Sequence, residues 1–384
     1  MVSRTRRLSS QDLLKREVLD AGLCTGCGAC VGLCPYQVVY HDRTVQLHHC
    51  DLIDGKCRDF CPRSEIDLRS LRALLFDAND LTPEIGAVKG YYLARAADPE
   101  LRNVAQHGGT VTALMELAMV KGMIDTAIVS SGRHGFDLDS ANVKNVADLR
   151  AKSGSKFLVT PTVAAFHRVA AESSGDIGVV ATPCQALALA KIRAAASKDE
   201  AGKTGKLKMV IGLYCGWTLS LPKFRELLFK SNIAPESLTG MDIPAGGDAL
   251  EIDTIGGTRL IPLAEVRPCI REACSYCFDS TAEYADISAG AARFGGTREE
   301  MRGWNQVIVR TDLGRDLMEI AVKSGILEIR EAPAEVLKDL KNAAAEKKKA
   351  ALKNIIGKSG SAKKLLYLSS FDPVVRKFLK KINR

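Results

Sequence analysis

The 384-residue chain has no uninterrupted apolar run of eighteen residues, so no transmembrane helix is expected. Its start, MVSRTRRLSSQDLLKREVLD, is basic but broken by acids and lacks an apolar h-region, so a secretory signal is not expected either. Aromatic residues are scarce at 5%, and no nucleic-acid motif accompanies the net charge of +9. That charge therefore suits an anionic ligand or partner and not nucleic acid. No low-complexity linker and no long-period repeat is present. What the chain does have is cysteine, twelve in all. Without an export signal they point to a reducing, cytoplasmic setting and to metal ligation instead of disulfides.

Seven of the twelve lie between positions 24 and 61. The first four, Cys24, Cys27, Cys30 and Cys34 followed by Pro35, read C-x2-C-x2-C-x3-C-P. Two-residue gaps let three thiolates converge on one cubane face, and the fourth cysteine turns outward to a second cluster. Gly26 and Gly28 give the loop freedom to wrap. A zinc knuckle also uses C-x2-C, but four cysteines ending in Cys-Pro favour iron–sulfur clusters.

The second half of this module is irregular. Cys50, Cys57, Cys61 and Pro62 match the start and end of a repeat of the motif, while Asp54-Gly55 stands where its middle cysteine is expected. The first 4Fe-4S cluster then takes Cys24, Cys27, Cys30 and Cys61. The second takes Cys34, Cys50, Cys57 and a fourth ligand, with Asp54 the first choice and His48 or His49 behind it. An open corner would favour a three-iron cluster. Asp-Gly is also a turn signal, so Asp54 has a plain structural reading as well.

Length allows two or three domains, and texture divides the chain into four parts. Residues 1–78 hold the cysteine module, closed by an amphipathic docking segment, Ser64 to Phe76. Residues 85–170 and 171–328 form the body, where strands are expected at Gly90–Arg95, Thr126–Ser130, Asp176–Ala181 and Leu207–Tyr214, with a helix from Val111 to Met123. Strand followed by helix, repeated, argues an α/β fold with parallel strands. Gly-punctuated antiparallel strands are expected between Leu238 and Leu263. The whole reads as a ferredoxin-like module followed by an α/β body with a mixed sheet. Residues 329–384 form a basic helical tail with one helix from Ala334 to Ile356.

Three spots in the body bear on chemistry, two of them at strand carboxyl ends, where ligands bind in open parallel sheets. Gly108-Gly109-Thr110 opens a helix, whose first amides attract anions, although a Gly pair is also an ordinary loop. Cys184 in Thr182-Pro183-Cys184-Gln185 and Cys215 in Tyr214-Cys215-Gly216 each follow a buried strand. A lone cysteine is usually a buried small residue, but two at equivalent strand ends are harder to dismiss. Cys274 and Cys277 form a C-x2-C pair that needs two more ligands, and Cys184, Cys215 and Cys269 are available. A redox pair or a structural zinc is the competing reading.

These blocks together resemble the beta subunits of coenzyme F420 hydrogenases and dehydrogenases, a family of iron–sulfur flavoproteins. The resemblance runs from about Cys24 to Leu317. It rests on Gly108–Leu114, Gly154–Phe157, Ala181–Gln185, Ile211–Cys215, Cys274–Asp279, Ala285–Gly290, Gly303-Trp304 and Val309–Thr311. Gln106-His107 stands where the family more often has a small hydroxyl residue. The resemblance implies FAD held along Gly108, Gly109, Thr110, Thr112, Ser155, Lys156 and Thr182. It implies a third cluster on Cys184, Cys274 and Cys277, completed by Cys215 or Cys269. FAD exchanges a hydride and releases electrons singly, so it stands between coenzyme F420 and the clusters. The expected partners are other oxidoreductase subunits or ferredoxin. A ferredoxin-dependent reductase of another organic molecule and a pure relay protein are the alternatives. The basic tail, with Phe371 to Arg384 placing apolar residues beside lysines, is a candidate for docking a partner or an anionic membrane surface.

Overall fold

The computed structural model describes residues 7–130, 139–154, 157–195, 202–244 and 246–382. Eight strands of the body build one mixed sheet. They are β1 (Gly90–Ala96), β2 (Thr126–Ser130), β3 (Ser140–Val143), β4 (Ile177–Ala181), β5 (Leu207–Leu213), β6 (Ile287–Ala291), β7 (Asn305–Val309) and β8 (Leu327–Glu331). Their spatial order is β8-β1-β7-β6-β5-β4-β2-β3. The central run β6-β5-β4-β2 is parallel. β7 is antiparallel to both β6 and β1, which sets β1 parallel to the central run. The carboxyl ends of five strands therefore share one edge: Ala96, Ser130, Ala181, Leu213 and Ala291.

Both faces of the sheet are covered, and the pleat divides the side chains between them. Ala127 and Val129 enter the core with the Thr110–Val120 helix, whereas Ile128 enters the opposite core with the Thr162–Glu172 and Pro183–Ala194 helices. Met209 and Ile211 alternate with Val210 in the same way. Burial on both faces explains why these strands read as continuous apolar runs. Strands β6, β7 and β8 were not legible by texture. Ala289 and Gly290 weaken the β signal in the first of them.

The module packs on the second core. Leu14, Val18, Leu23, Phe60, Leu68 and Leu71 join the body helices there. The docking segment forms a helix over Leu68–Leu75, capped by Asp67 and burying Leu68, Leu71 and Arg72. A three-stranded antiparallel sheet, Leu238–Asp242, Ala249–Thr254 and Gly257–Pro262, carries its own small core on one side.

The tail differs from a free docking element. Its helices Ala334–Ser359 and Pro373–Ile382 turn Leu352, Ile355, Val375 and Phe378 into the core shared by module and body. Those positions are 0% exposed. The apolar stripe seen beside the lysines is thus spent inside the chain, which leaves only residues such as Phe371 outside. No described helix is long and apolar enough to cross a membrane.

Candidate functional site

The module loop is held by its own backbone carbonyls. Arg271 donates to Cys24 O at 2.7 Å, Val163 N to Cys27 O at 3.2 Å, and Lys191 to Cys61 O at 2.8 Å. His167 Nε2 lies 3.1 Å from Ala29 O. At Gly28 a side chain would run into Ala164 and Pro161 of the body, so the absence of Cβ permits this close seating. Burial pushes the Cys27, Cys30 and Cys61 thiols up, and a neighbouring thiolate adds to each rise: Cys184 and Cys61 at Cys27, Cys61 at Cys30, Cys24 at Cys61. Cys24, Cys27, Cys30 and Cys61 thus form one group, and Cys184 of the body adjoins it.

Cys34, Cys50 and Cys57 form a second group. Burial raises the Cys57 thiol, a hydrogen bond from Gln37 opposes the rise, and thiolates at Cys34 and Cys50 add to it. Asp54 is exposed on the turn beside them, and Ser10 brackets that turn, donating to Ile53 O at 2.5 Å and accepting from Gly55 N at 2.8 Å. Of the two histidines, His49 sits 3.5 Å from the Asp12 carboxylate and His48 edge-on to Tyr36. Gln37, which sequence reading missed, is buried between the two groups, with Nε2 3.5 Å from Cys30 O. Tyr36, Tyr40, Leu47, Leu52 and Ile53 are exposed in this outer part of the module.

In the body Cys184, Cys215, Cys274 and Cys277 line one pocket. Cys184 stands in the first turn of the Pro183–Ala194 helix, where Thr182 and Gln185 form a capping box. Cys215 lies two residues past β5, and Cys274 accepts from Thr218 N at 3.4 Å. Cys269 is not there: its thiol lies against Lys223 O at 3.5 Å in the small core beneath the three-stranded sheet. Thr182, grouped above with the flavin residues, lies with the thiols, its hydroxyl 3.4 Å from Cys184 Sγ. Arg63 and Lys347 line the same pocket, and neither carries a recognisable local signal. Among the described residues no three His, Cys, Asp or Glu side chains converge as a single-ion site. Thiols gathered in three groups fit iron–sulfur clusters.

The Gly pair lies at the carboxyl edge of β1. Gly109 has φ +74° and starts the Thr110–Val120 helix. Thr110 is held by the protein itself, its amide donating to Asn305 Oδ1 at 3.3 Å and its hydroxyl to Ala94 O at 3.1 Å. One turn along, the Thr112 and Ser153 hydroxyls lie 3.1 Å apart. First-turn amides beside a hydroxyl pair suit a phosphate, so the residues fit the pyrophosphate of FAD. Ser155 and Lys156 lie outside the described residues. Gly290, at the end of β6, leaves room for the Tyr214 ring, which a Cβ would strike.

Past β6 a cleft of about 310 Å³ is lined by Arg293, Phe294, Met301, Glu335 and Asp339. Arg330 stacks 4.2 Å over Trp304 and 4.4 Å over Phe294. His107, next to the Gly pair, is held neutral by burial against the pull of Asp242, with Arg302 and Arg293 adding to the depression. Gln106 donates to Asp242 at 2.5 Å, and Arg302 stands 3.5 Å from it.

Two of the blocks that carry the resemblance are structural pins. Asp286 accepts from Arg193, Val210 N and Thr311. Arg310, 0% exposed, donates to Ser288, Ile85 O, Ala87 O and Thr281, tying the linker after the module to β6 and β7.

Residues 91–167 match the N-terminal model of the coenzyme F420 hydrogenase/dehydrogenase beta subunit, residues 175–335 its C-terminal model, and residues 17–40 a 4Fe-4S binding domain. The chain is 30% identical to the beta subunit of coenzyme F420 hydrogenase from Methanothermobacter thermautotrophicus, over 71% of this chain and 95% of that one. It is 26% identical to a subunit of the F420H2 dehydrogenase of Methanosarcina mazei, over 79% and 86%. A chain of the F420-reducing [NiFe] hydrogenase complex from Methanosarcina barkeri shares the fold, with a TM-score of 0.65 at 24% identity, covering 73% of this chain and 96% of that one.

Proposed function

The chain belongs to the family of coenzyme F420 hydrogenase/dehydrogenase beta subunits and carries a 4Fe-4S binding domain, and on that premise we propose that it exchanges a hydride with coenzyme F420 at FAD and relays the electrons singly through three clusters. The observation that carries this reading is the order of the thiol groups. Cys34, Cys50 and Cys57 lie in the part of the module that carries the exposed Tyr36, Tyr40, Leu47, Leu52 and Ile53, and Thr25 of the Cys24 loop lines the body thiol pocket with Cys184. Cys184 and Cys215 follow the same carboxyl edge that the Gly pair occupies. A relay from cleft to module surface needs that succession.

FAD, when bound, supplies the change from a two-electron hydride to single electrons. The Thr110 helix start and the Thr112–Ser153 hydroxyls orient its pyrophosphate. Arg293 lines the cleft with charge suited to the phosphate and glutamates of the deazaflavin. His107, neutral beside Asp242, accepts or donates a hydrogen bond at Nδ1, which has no partner among the described residues. The exposed Tyr36, Tyr40, Leu47, Leu52 and Ile53 seat the electron partner, another oxidoreductase subunit or ferredoxin.

The test is anaerobic reduction of the FAD- and iron-reconstituted protein, with reduced F420 and NADH compared side by side. Flavin bleaching by reduced F420 alone is expected. Bleaching by neither, with reduction by ferredoxin instead, would move the protein to the reductase or relay class.

A further inference from the structure

The body thiol pocket is closed by two cations from outside the body. Arg63 belongs to the module, two residues after Cys61, and Lys347 to the C-terminal helix, beyond position 335 where the family match ends. Arg63 is 4% exposed. Its guanidinium lies 4.5 Å over the Tyr367 ring and donates to Ala273 O, next to Cys274, at 3.4 Å. The same residue's backbone amide donates to Cys61 Sγ at 3.4 Å. One residue thus touches the first module group with its backbone and reaches the body group with its side chain.

Lys347 donates to Gly216 O and, at 3.4 Å, to Cys215 O. Its neighbour Lys348 fixes the register of the helix. Lys348 is 2% exposed, pairs with Glu283, and donates to Phe278 O at 2.7 Å. With Lys348 locked inward, Lys347 is delivered to the rim of the thiol pocket.

We propose that Arg63 and Lys347 are the counter-charges that set the reduction potential of the cluster on Cys184, Cys215, Cys274 and Cys277. The inference rests on the reading above that these four thiols hold a cluster. Reduction adds one electron to an already anionic four-thiolate cluster, with no proton moved and no bond to protein broken. Net charge, hydrogen bonds and exposure set such potentials, and a cation in a dry site favours the more negative, reduced form. Arg63 and Lys347 make the body cluster an easier acceptor than its four thiolates alone would. Because one cation comes from the module and the other from the tail, the potential depends on both being docked.

The test uses the full reconstituted chain and four variants: Lys347→Gln, Lys347→Arg, Arg63→Gln and Arg63→Lys. Iron is counted per chain, and each cluster's midpoint is read by EPR-monitored redox titration. Lys347→Gln is expected to keep its iron and to weaken reduction of one cluster about tenfold, a shift of about 59 mV for one electron. Lys347→Arg should restore the midpoint, and the Arg63 pair should behave alike. Full iron with unmoved midpoints in both neutral variants overturns the inference. Should Arg63→Gln not fold, the Lys347 pair decides alone. Iron unchanged in Cys274→Ala would instead show that the site holds no cluster, overturning the underlying reading and the inference with it.

Discussion

Arg72 of the module and Asp372 of the tail, 300 residues apart in sequence, form a buried ion pair, their side chains 10% and 3% exposed. The Asp372 carboxylate also caps the last helix, accepting from Val374 N at 2.9 Å and Val375 N at 3.0 Å. Breaking a buried pair strands the other charge and costs about 3–5 kcal/mol. Asp372→Ala should therefore lower stability by that order and free the tail to proteolysis near residues 360–372. Thermal unfolding and limited digestion read both effects, and an unchanged midpoint with a protected tail would contradict the pair's role.

The cysteines make a sharper test. Cys274→Ala removes a member of the body group, whereas Cys269→Ala removes a thiol enclosed by the small core with Leu219, Phe224 and Val266. Cys274→Ala should lose one cluster's iron and its EPR signal. Cys269→Ala should keep both and lose at most about 1–2 kcal/mol of packing. Equal iron loss in the two variants would place Cys269 among the ligands.

This contrast also marks how far the sequence could be read. The Cys24–Cys34 loop is local, so spacing alone reveals it. The choice between Cys215 and Cys269 depends on how β5 and the Arg267–Cys277 segment meet in space, which no spacing records. The roles of Asp286 and Arg310 were illegible for a related reason: their partners are brought to them only by the folded sheet. Arg63 and Lys347 were illegible for the opposite reason, since each stands in a stretch where a basic residue is ordinary. Thr182 was assigned by its motif, and its hydroxyl stands 3.4 Å from Cys184 Sγ on the lining of the thiol pocket.

His167 couples the module to pH. Burial holds its imidazole down to about 4, against an ordinary value near 6.5, although its bond to Ala29 O opposes the fall. A depressed histidine binds its proton in the unfolded chain first. Its contribution is therefore complete above about pH 6.5 and is lost as the pH falls through about 4. That span corresponds to about 3 kcal/mol. Denaturant unfolding of the wild type should weaken between pH 6.5 and 4 by more than that of His167→Gln. Parallel pH profiles would remove His167 as the cause.

At the cleft, Arg293 is exposed on the rim, Arg302 stands beside Asp242, and Arg330 is stacked between Trp304 and Phe294. Of these three, only Arg293 combines exposure with a place in the cleft lining, so it is the cation best placed to meet an anionic coenzyme. A charge-assisted hydrogen bond lost there costs about 1.5–3 kcal/mol, hence a rise of at least tenfold in KM for reduced F420 in Arg293→Gln. Such a contact binds substrate and transition state alike, so kcat should hold while KM rises. Added salt screens the same attraction over about 8–10 Å, so raising ionic strength should weaken the wild type more than the variant. A fall in kcat with KM unchanged would move Arg293 from holding the coenzyme to shaping the flavin's surroundings. The partner-facing half of the reaction separates the two, because ferredoxin reduction of the bound flavin should be unaffected by Arg293→Gln if the residue serves the coenzyme alone.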